Sequence, residues 1–138
     1  MSTIYDTKMK VLLRNDLEPW QELNVTAFMM SGICATQEGM VGEPYEDASG
    51  VKYLPMSKQP ILILSGTAEQ LNEALRKAVE RDMAVAAYTE ELFTTYNDED
   101  NREAFGRHKT EDLNLVGVAI RGPKNQVDRI TKHFVKHD

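Results

Sequence analysis

Two constellations in this chain of 138 residues have the residue types and spacing to do chemistry. Asn24 and Ser31 lie seven residues apart, two helical turns, so they share one face with Ala27 and Phe28 between them. Polar groups on a mostly apolar helix need partners or an open groove. They therefore form the floor of a polar pocket at the start of that helix, or they bond to neighbouring loops. The second constellation is the polar series Thr89, Glu90, Thr94, Asn97, Asp98, Asn101 and Arg102, which follows an apolar run. Pockets in open α/β sheets form beyond the C-terminal ends of parallel strands. The length and polarity of the series favour a pocket over a merely solvated loop. Glu90 has the chemistry of a general acid or base, provided its carboxylate reaches water or substrate. Glu91 follows it directly, and the sequence does not decide which of the two points inward.

Other candidates fail on their own chemistry. His133 and His137 have the spacing of a metal-binding pair if their helix continues, but the pair needs a third ligand. Exposed histidines near a helix end are the simpler reading. Asp98-Glu99-Asp100 opens like a calcium loop, but the sixth position is Glu103 where such a loop needs glycine. Cys34 has no Lys, Arg or His near it in sequence and reads as a small buried hydrophobe rather than a nucleophile. No nucleophile elbow, Walker loop, dinucleotide fingerprint or zinc-protease motif is present. The sequence thus implies no metal and no cofactor.

The elements that must position these residues follow from local pattern. Residues 9–13 and 61–64 are short apolar runs, read as buried strands, with a third at 84–88 and a fourth at 113–120. A helix starts near Pro19 and runs to about Ala35, apolar nearly all round and so expected to be buried on more than one side. Thr67 with Gln70 forms a capping box for a second helix. Asn97 or Asp98 caps a short acidic one. Gly122-Pro123 stops the fourth strand, and a basic helix is expected from Lys124 to about Phe134. Residues 39–58, broken by Gly and Pro, read as an inserted ribbon with a turn at Asp47-Ala48-Ser49-Gly50. The order β-α-(ribbon)-β-α-β-(acidic loop and helix)-β-α describes one domain, residues 1–138, with helices on both faces of a sheet.

Composition narrows the function classes. Hydrophobic residues make up 41% and charged residues 28%, as in ordinary globular proteins. With 22 acidic against 16 basic residues the net charge is −6, which opposes sequence-independent binding to phosphates. No apolar run is long enough for a membrane span. The N-terminus lacks an apolar signal core, and one cysteine makes no internal disulfide, so a cytoplasmic location is expected.

Arg14-Asn15-Asp16-Leu17, Trp20-Gln21 and Leu23-Asn24-Val25-Thr26-Ala27-Phe28 resemble a family of uncharacterised microbial proteins, domain of unknown function DUF2000. Further matches are Gly42-Glu43-Pro44-Tyr45, Asp47 with Gly50, Gln59-Pro60, Tyr88-Thr89-Glu90-Glu91 with Phe93, and Asn97-Asp98 with Asn101-Arg102. The family is similar in fold to type 2 peptidyl-tRNA hydrolases. The resemblance implies a three-layer α/β/α sandwich on a four-stranded mixed sheet of order 2-1-4-3, and it makes a homodimer an expectation. Against those hydrolases, Asn24 stands at the lysine position, Phe28 at the glutamine and Ser31 at the histidine, while Glu90 and Thr94 fall near their aspartate and threonine. Neutral Asn24 donates a hydrogen bond but brings no charge to a phosphate or an oxyanion.

The expected function is binding of a small molecule or peptide in a polar pocket between the first helix and the loop after the third strand. Asp16, Ser31, Glu43, Tyr45, Thr89, Asn97, Asp98, Asn101 and Arg102 are the expected ligand contacts. The alternative is a hydrolase or transferase using Glu90 with Thr94 and Asn24, including residual peptidyl-tRNA hydrolysis. The tRNA partner that this alternative needs is disfavoured by the net charge.

Overall fold

The computed structural model describes residues 5–138. Side-chain alternation along β1 (Thr7–Arg14) sets the layers. Met9, Val11 and Leu13 point to one side, where they pack with Val25, Met29 and Ile33 of α1 (Pro19–Thr36). Leu12 points to the other, against Leu71, Ala74, Leu75 and Ala78 of α2 (Ala68–Glu80). Two apolar clusters therefore sandwich one sheet. A ribbon follows α1, formed by β2 (Tyr45–Glu46) and β3 (Lys52–Tyr53), which make a separate two-stranded sheet. Next come β4 (Ile61–Gly66), α2 and β5 (Ala84–Thr89). A 3-10 turn at Glu90–Thr94 leads into α3 (Asp98–Gly106). The chain closes with β6 (Leu115–Pro123), α4 (Lys124–Ile130) and β7 (Val135–Lys136).

The main sheet is mixed, in the order β5-β6-β1-β4-β7. β1 and β4 are parallel, and β6 runs antiparallel to both β1 and β5. β1 and β5 therefore point the same way, and Arg14 and Thr89 come to one edge of the sheet. That was the condition for a pocket beyond the strand ends.

Local chemistry explains the helix starts. Pro19 occupies the first position of α1, and Glu18 and Gln21 form a reciprocal capping box there. Thr67 and Gln70 do the same for α2. Asn97 Oδ1 accepts the Asp100 amide at 2.8 Å to open α3. In the ribbon, Asp47 Oδ1 accepts the amides of Ser49 and Val51, and Tyr53 donates its hydroxyl to Oδ2 at 2.8 Å. Gly50 supplies the positive φ that closes this turn.

Three expectations are corrected. The sheet has five strands rather than four, because β7 pairs antiparallel with β4. The last helix ends at Ile130, not near Phe134. Phe134 packs so tightly over Gly66 that a β-carbon there would lie 2.6 Å from its ring, and the chain must leave the helix to deliver it. His133 and His137 consequently share no helix face. Finally, α1 buries only Val25, Met29 and Ile33 and exposes Trp20, Leu23 and Phe28. It packs chiefly over β5 and β6, and only the face that meets the sheet is buried. Among the described residues no helix is long and apolar enough to cross a membrane.

Candidate functional site

The exposed apolar face of α1 borders a groove of about 490 Å³. Trp20, Asn24 and Phe28 form one wall at helical spacing. Tyr88, at the end of β5, lies in its floor, and the segment Leu92–Asn101 forms the opposite wall. The volume is in the range of small-molecule sites. Aromatic rings are continuous across it. Phe28 meets Tyr88 edge-on with centroids 6.0 Å apart, Tyr88 meets Phe93 at 5.3 Å, and Phe93 meets Trp20 edge-on at 5.5 Å. Trp20 is 58% exposed, Phe28 54% and Tyr96 93%, so large apolar area faces solvent at one place.

The polar groups of the groove are oriented. Tyr88 is 6% exposed, and its hydroxyl donates to Asn24 Oδ1 at 3.3 Å and approaches Leu92 O at 3.4 Å. Burial raises the Tyr88 phenol above its ordinary pKa, which keeps the proton on the hydroxyl as a donor. Because the Asn24 oxygen is taken by Tyr88, its amide N–H₂ is left to donate to whatever enters. Thr95 bonds Leu92 O and Asn101 Oδ1, which ties the loop to α3.

A second polar cluster lies at the same sheet edge. The Arg14 guanidinium reaches Asp16 at 2.6 Å and Glu90 and Asn114 at 3.5 Å each, and Asn114 donates to Glu90 at 2.8 Å. Burial alone lowers the Arg14 pKa, but the hydrogen bonds and charges of Asp16 and Glu90 outweigh it and leave it raised. The Glu90 carboxylate is thus engaged by Arg14 and Asn114 and turned away from the groove.

The fold and the residues agree with what other sequences show. Residues 7–137 match the family described as protein of unknown function, DUF2000. The chain belongs to the DUF2000 family. A solved protein of unknown function, Atu0240 from Agrobacterium tumefaciens str. C58, is similar to it at 42% identity and a TM-score of 0.94. The match covers 98% of this chain and 100% of that one. No curated protein matches it.

In this DUF2000 chain the groove brings together Asn24, Asn97, Asp98 and Asn101 of the expected site residues. Glu90 and Asp16 belong to the Arg14 cluster instead. Thr94 donates to Glu91 O, and Ser31 donates to Phe28 O within its own helix. Arg102 pairs with Asp98 one turn back on α3. Thr89 is fully buried, and its Oγ1 has no hydrogen-bond partner among the described residues. Glu43 and Tyr45 line a different cleft of about 370 Å³ beside the ribbon. Glu91 points toward His108, 3.9 Å away, rather than toward the groove.

Sequence reasoning missed Trp20, Phe28, Tyr88 and Phe93 as groove residues. The signal was present in the aromatic content of an α1 face that also carries Asn24, but it reads equally as core. It also missed a hydrogen-bonded chain from Ser65 through His137 to Glu22, on the other flank of α1. No local signal identifies that chain, since His137 lies 72 residues from Ser65 and 115 from Glu22.

Proposed function

We propose that the DUF2000 chain binds a ligand that combines a flat or apolar group with a hydrogen-bond acceptor, such as an aromatic amide or a short peptide with an aromatic side chain. The observation that carries this is the Tyr88–Asn24 hydrogen bond, set in the floor and wall of an aromatic groove. A ring of the ligand lies against Trp20, Phe28 or Tyr96, which stacking and burial favour. Its carbonyl accepts from the Asn24 amide, whose direction Tyr88 fixes in advance, so little ordering cost is left for binding. Neither Lys nor Arg lines the groove, which argues for an uncharged acceptor over a phosphate.

The four longer strands, β4-β1-β6-β5, have the order 2-1-4-3 when counted among themselves, which supports a fold similar to type 2 peptidyl-tRNA hydrolases. The chemistry of those enzymes finds less support. Asn24 stands where their lysine would be, and Glu90 is committed to Arg14 and Asn114.

Trp20 is the single tryptophan of the chain and sits in the groove wall, so its emission is a direct reporter. Titration with N-acetyl-phenylalaninamide and with nicotinamide is expected to change Trp20 emission saturably and to raise the melting temperature. The Asn24→Leu variant keeps the apolar contacts and loses the donor, and is expected to bind about tenfold more weakly, as loss of one hydrogen bond predicts. Unsaturable titrations with both probes, or unchanged affinity in Asn24→Leu, would refute the reading.

A further inference from the structure

The chain from Ser65 to Glu22 is independent of the groove. Ser65 lies near the end of β4, His137 follows β7, and Glu22 lies in the first turn of α1. The Ser65 hydroxyl is 2.6 Å from His137 Nδ1, and His137 Nε2 is 2.5 Å from Glu22 Oε2. A carboxylate only accepts, so Nε2 carries the ring proton and donates it to Glu22. Nδ1 is then the acceptor, and Ser65 donates to it. This is the logic of an activated serine: a nucleophile on a base, and the base held in one tautomer by a carboxylate. The ring is reversed relative to the common arrangement, with Nδ1 toward the serine, but the roles are filled. His137 and Glu22 are about three-quarters buried, which strengthens both bonds.

The surroundings suit a reaction. Ser65 stands at the C-terminal end of a strand parallel to its neighbour, directly before the N-terminus of α2. Alternation along β4 puts Ile61 and Ile63 on the same face as Ser65. α1 packs chiefly on β5 and β6, and Ile63 is partly buried against its cluster, while Ile61 stays partly exposed and Val135 is exposed beside Ser65.

We propose that Ser65 is a nucleophile for acyl transfer, with His137 as its general base and Glu22 as the residue positioning His137, acting on esters with a short apolar acyl group. Ser65 Oγ attacks the acyl carbon while its proton passes to His137 Nδ1. The tetrahedral intermediate collapses by breaking the bond to the leaving alkoxide, which takes that proton from Nδ1. The acyl group then rests on Ser65. Water, deprotonated by His137 in the same way, releases the acid and restores the serine. The acyl chain lies along Ile61 and Ile63.

Fluorophosphonate–biotin and p-nitrophenyl butyrate on the full chain test this. A single phosphonyl adduct is expected on Ser65 by peptide mass mapping, together with butyrate ester turnover. Both are lost in Ser65→Ala. His137→Gln is expected to slow labelling by about 100-fold or more, the usual contribution of a general base. Glu22→Gln slows it less. A variant that melts early would blur this result, so Ser65→Cys gives an internal comparison. The introduced thiol, beside His137, is expected to react with iodoacetamide at least tenfold faster than Cys34 in the same molecule. No Ser65 adduct, labelling unchanged in a folded His137→Gln, or equal alkylation of the introduced thiol and Cys34 would each overturn the proposal.

Discussion

Gly117→Ala is the sharpest mechanical test of how the groove is positioned. Gly117 lies on β6 beneath α1, and a β-carbon there would sit 2.5 Å from Val25 Cγ1, 2.9 Å from Met29 Cε and 3.3 Å from Met29 Sδ. Val25 is branched and fully buried, so it has no free rotamer to retreat into. Overpacking of this kind costs about 1–3 kcal/mol. Replacing glycine by alanine stiffens the unfolded chain and returns roughly 0.4–1 kcal/mol. The net loss is about 1–2 kcal/mol, which at roughly 4 °C per kcal/mol for a chain of this size lowers Tm by about 4–8 °C. Gly122→Ala is the control. The atoms nearest to its β-carbon all belong to the flexible side chain of Met83, at 3.0 to 3.4 Å, so a small shift relieves it. Val25 and Met29 flank Asn24 and Phe28 in sequence, so lifting α1 also lengthens the Tyr88–Asn24 bond and alters Trp20 emission. The assay is a pair of thermal melts by circular dichroism, with urea unfolding followed at Trp20. Gly117→Ala melting at or above the wild type, or no lower than Gly122→Ala, would refute the close-approach argument.

Two further outcomes follow from titrating groups. Tyr88→Phe is expected to cost about 1 kcal/mol through the lost hydroxyl bond and to weaken binding in the groove. In the wild type, burial raises the Tyr88 pKa in the folded state, so the folded protein holds that proton more tightly than the unfolded chain. Stability is therefore unaffected below the ordinary tyrosine range and falls as pH rises through the raised value, an alkaline loss that Tyr88→Phe removes in denaturant melts. Asp128 is held below its ordinary pKa by the hydrogen bond from Lys8, opposed by desolvation and assisted by Lys10. Its stabilisation is present above the ordinary aspartate pKa and is lost as pH falls through the lowered one. Asp128→Asn also leaves the Lys10 ammonium, buried at 2.8 Å from Thr131 Oγ1, without its carboxylate. A loss of about 1–3 kcal/mol at neutral pH is expected, with a smaller loss in acid; equal losses at both would show that Asp128 acts by packing alone.

Much of the scaffold is legible in the chain because its causes are local. The start of α1 at Pro19, the capping box at Thr67–Gln70 and a cap at Asn97 or Asp98, which the structure gives to Asn97, need only a few neighbouring residues and are readable from them. The apolar runs at 61–64 and 84–88 do form strands, but 61–64 is less buried than its composition suggests, with Ile61 and Leu62 exposed near the edge that β7 covers only in part. The end of α4 is different. Lys124–Ile130 and the residues after it share helical character, and the stop comes from Phe134 reaching the space that Gly66, 68 positions earlier, leaves open. That contact also delivers β7 and the fifth strand. The overall apolarity of α1 is a sequence property, but which of its faces meets the sheet is decided by the close approach that Gly117 permits.

The sequence by itself determined most of the helices and strands, though not β7, where most of them start, and which polar residues crowd the sheet edge after β5. Only the tertiary structure decided the partners. It gave Glu90 to Arg14 and Asn114, Asn24 to Tyr88, and Ser65 to His137 and Glu22. The reason is one of range. A cap or an apolar run is fixed by interactions within a turn or two, whereas a site is made by side chains from separate elements, and their meeting depends on how strands order and helices cross once the core has formed.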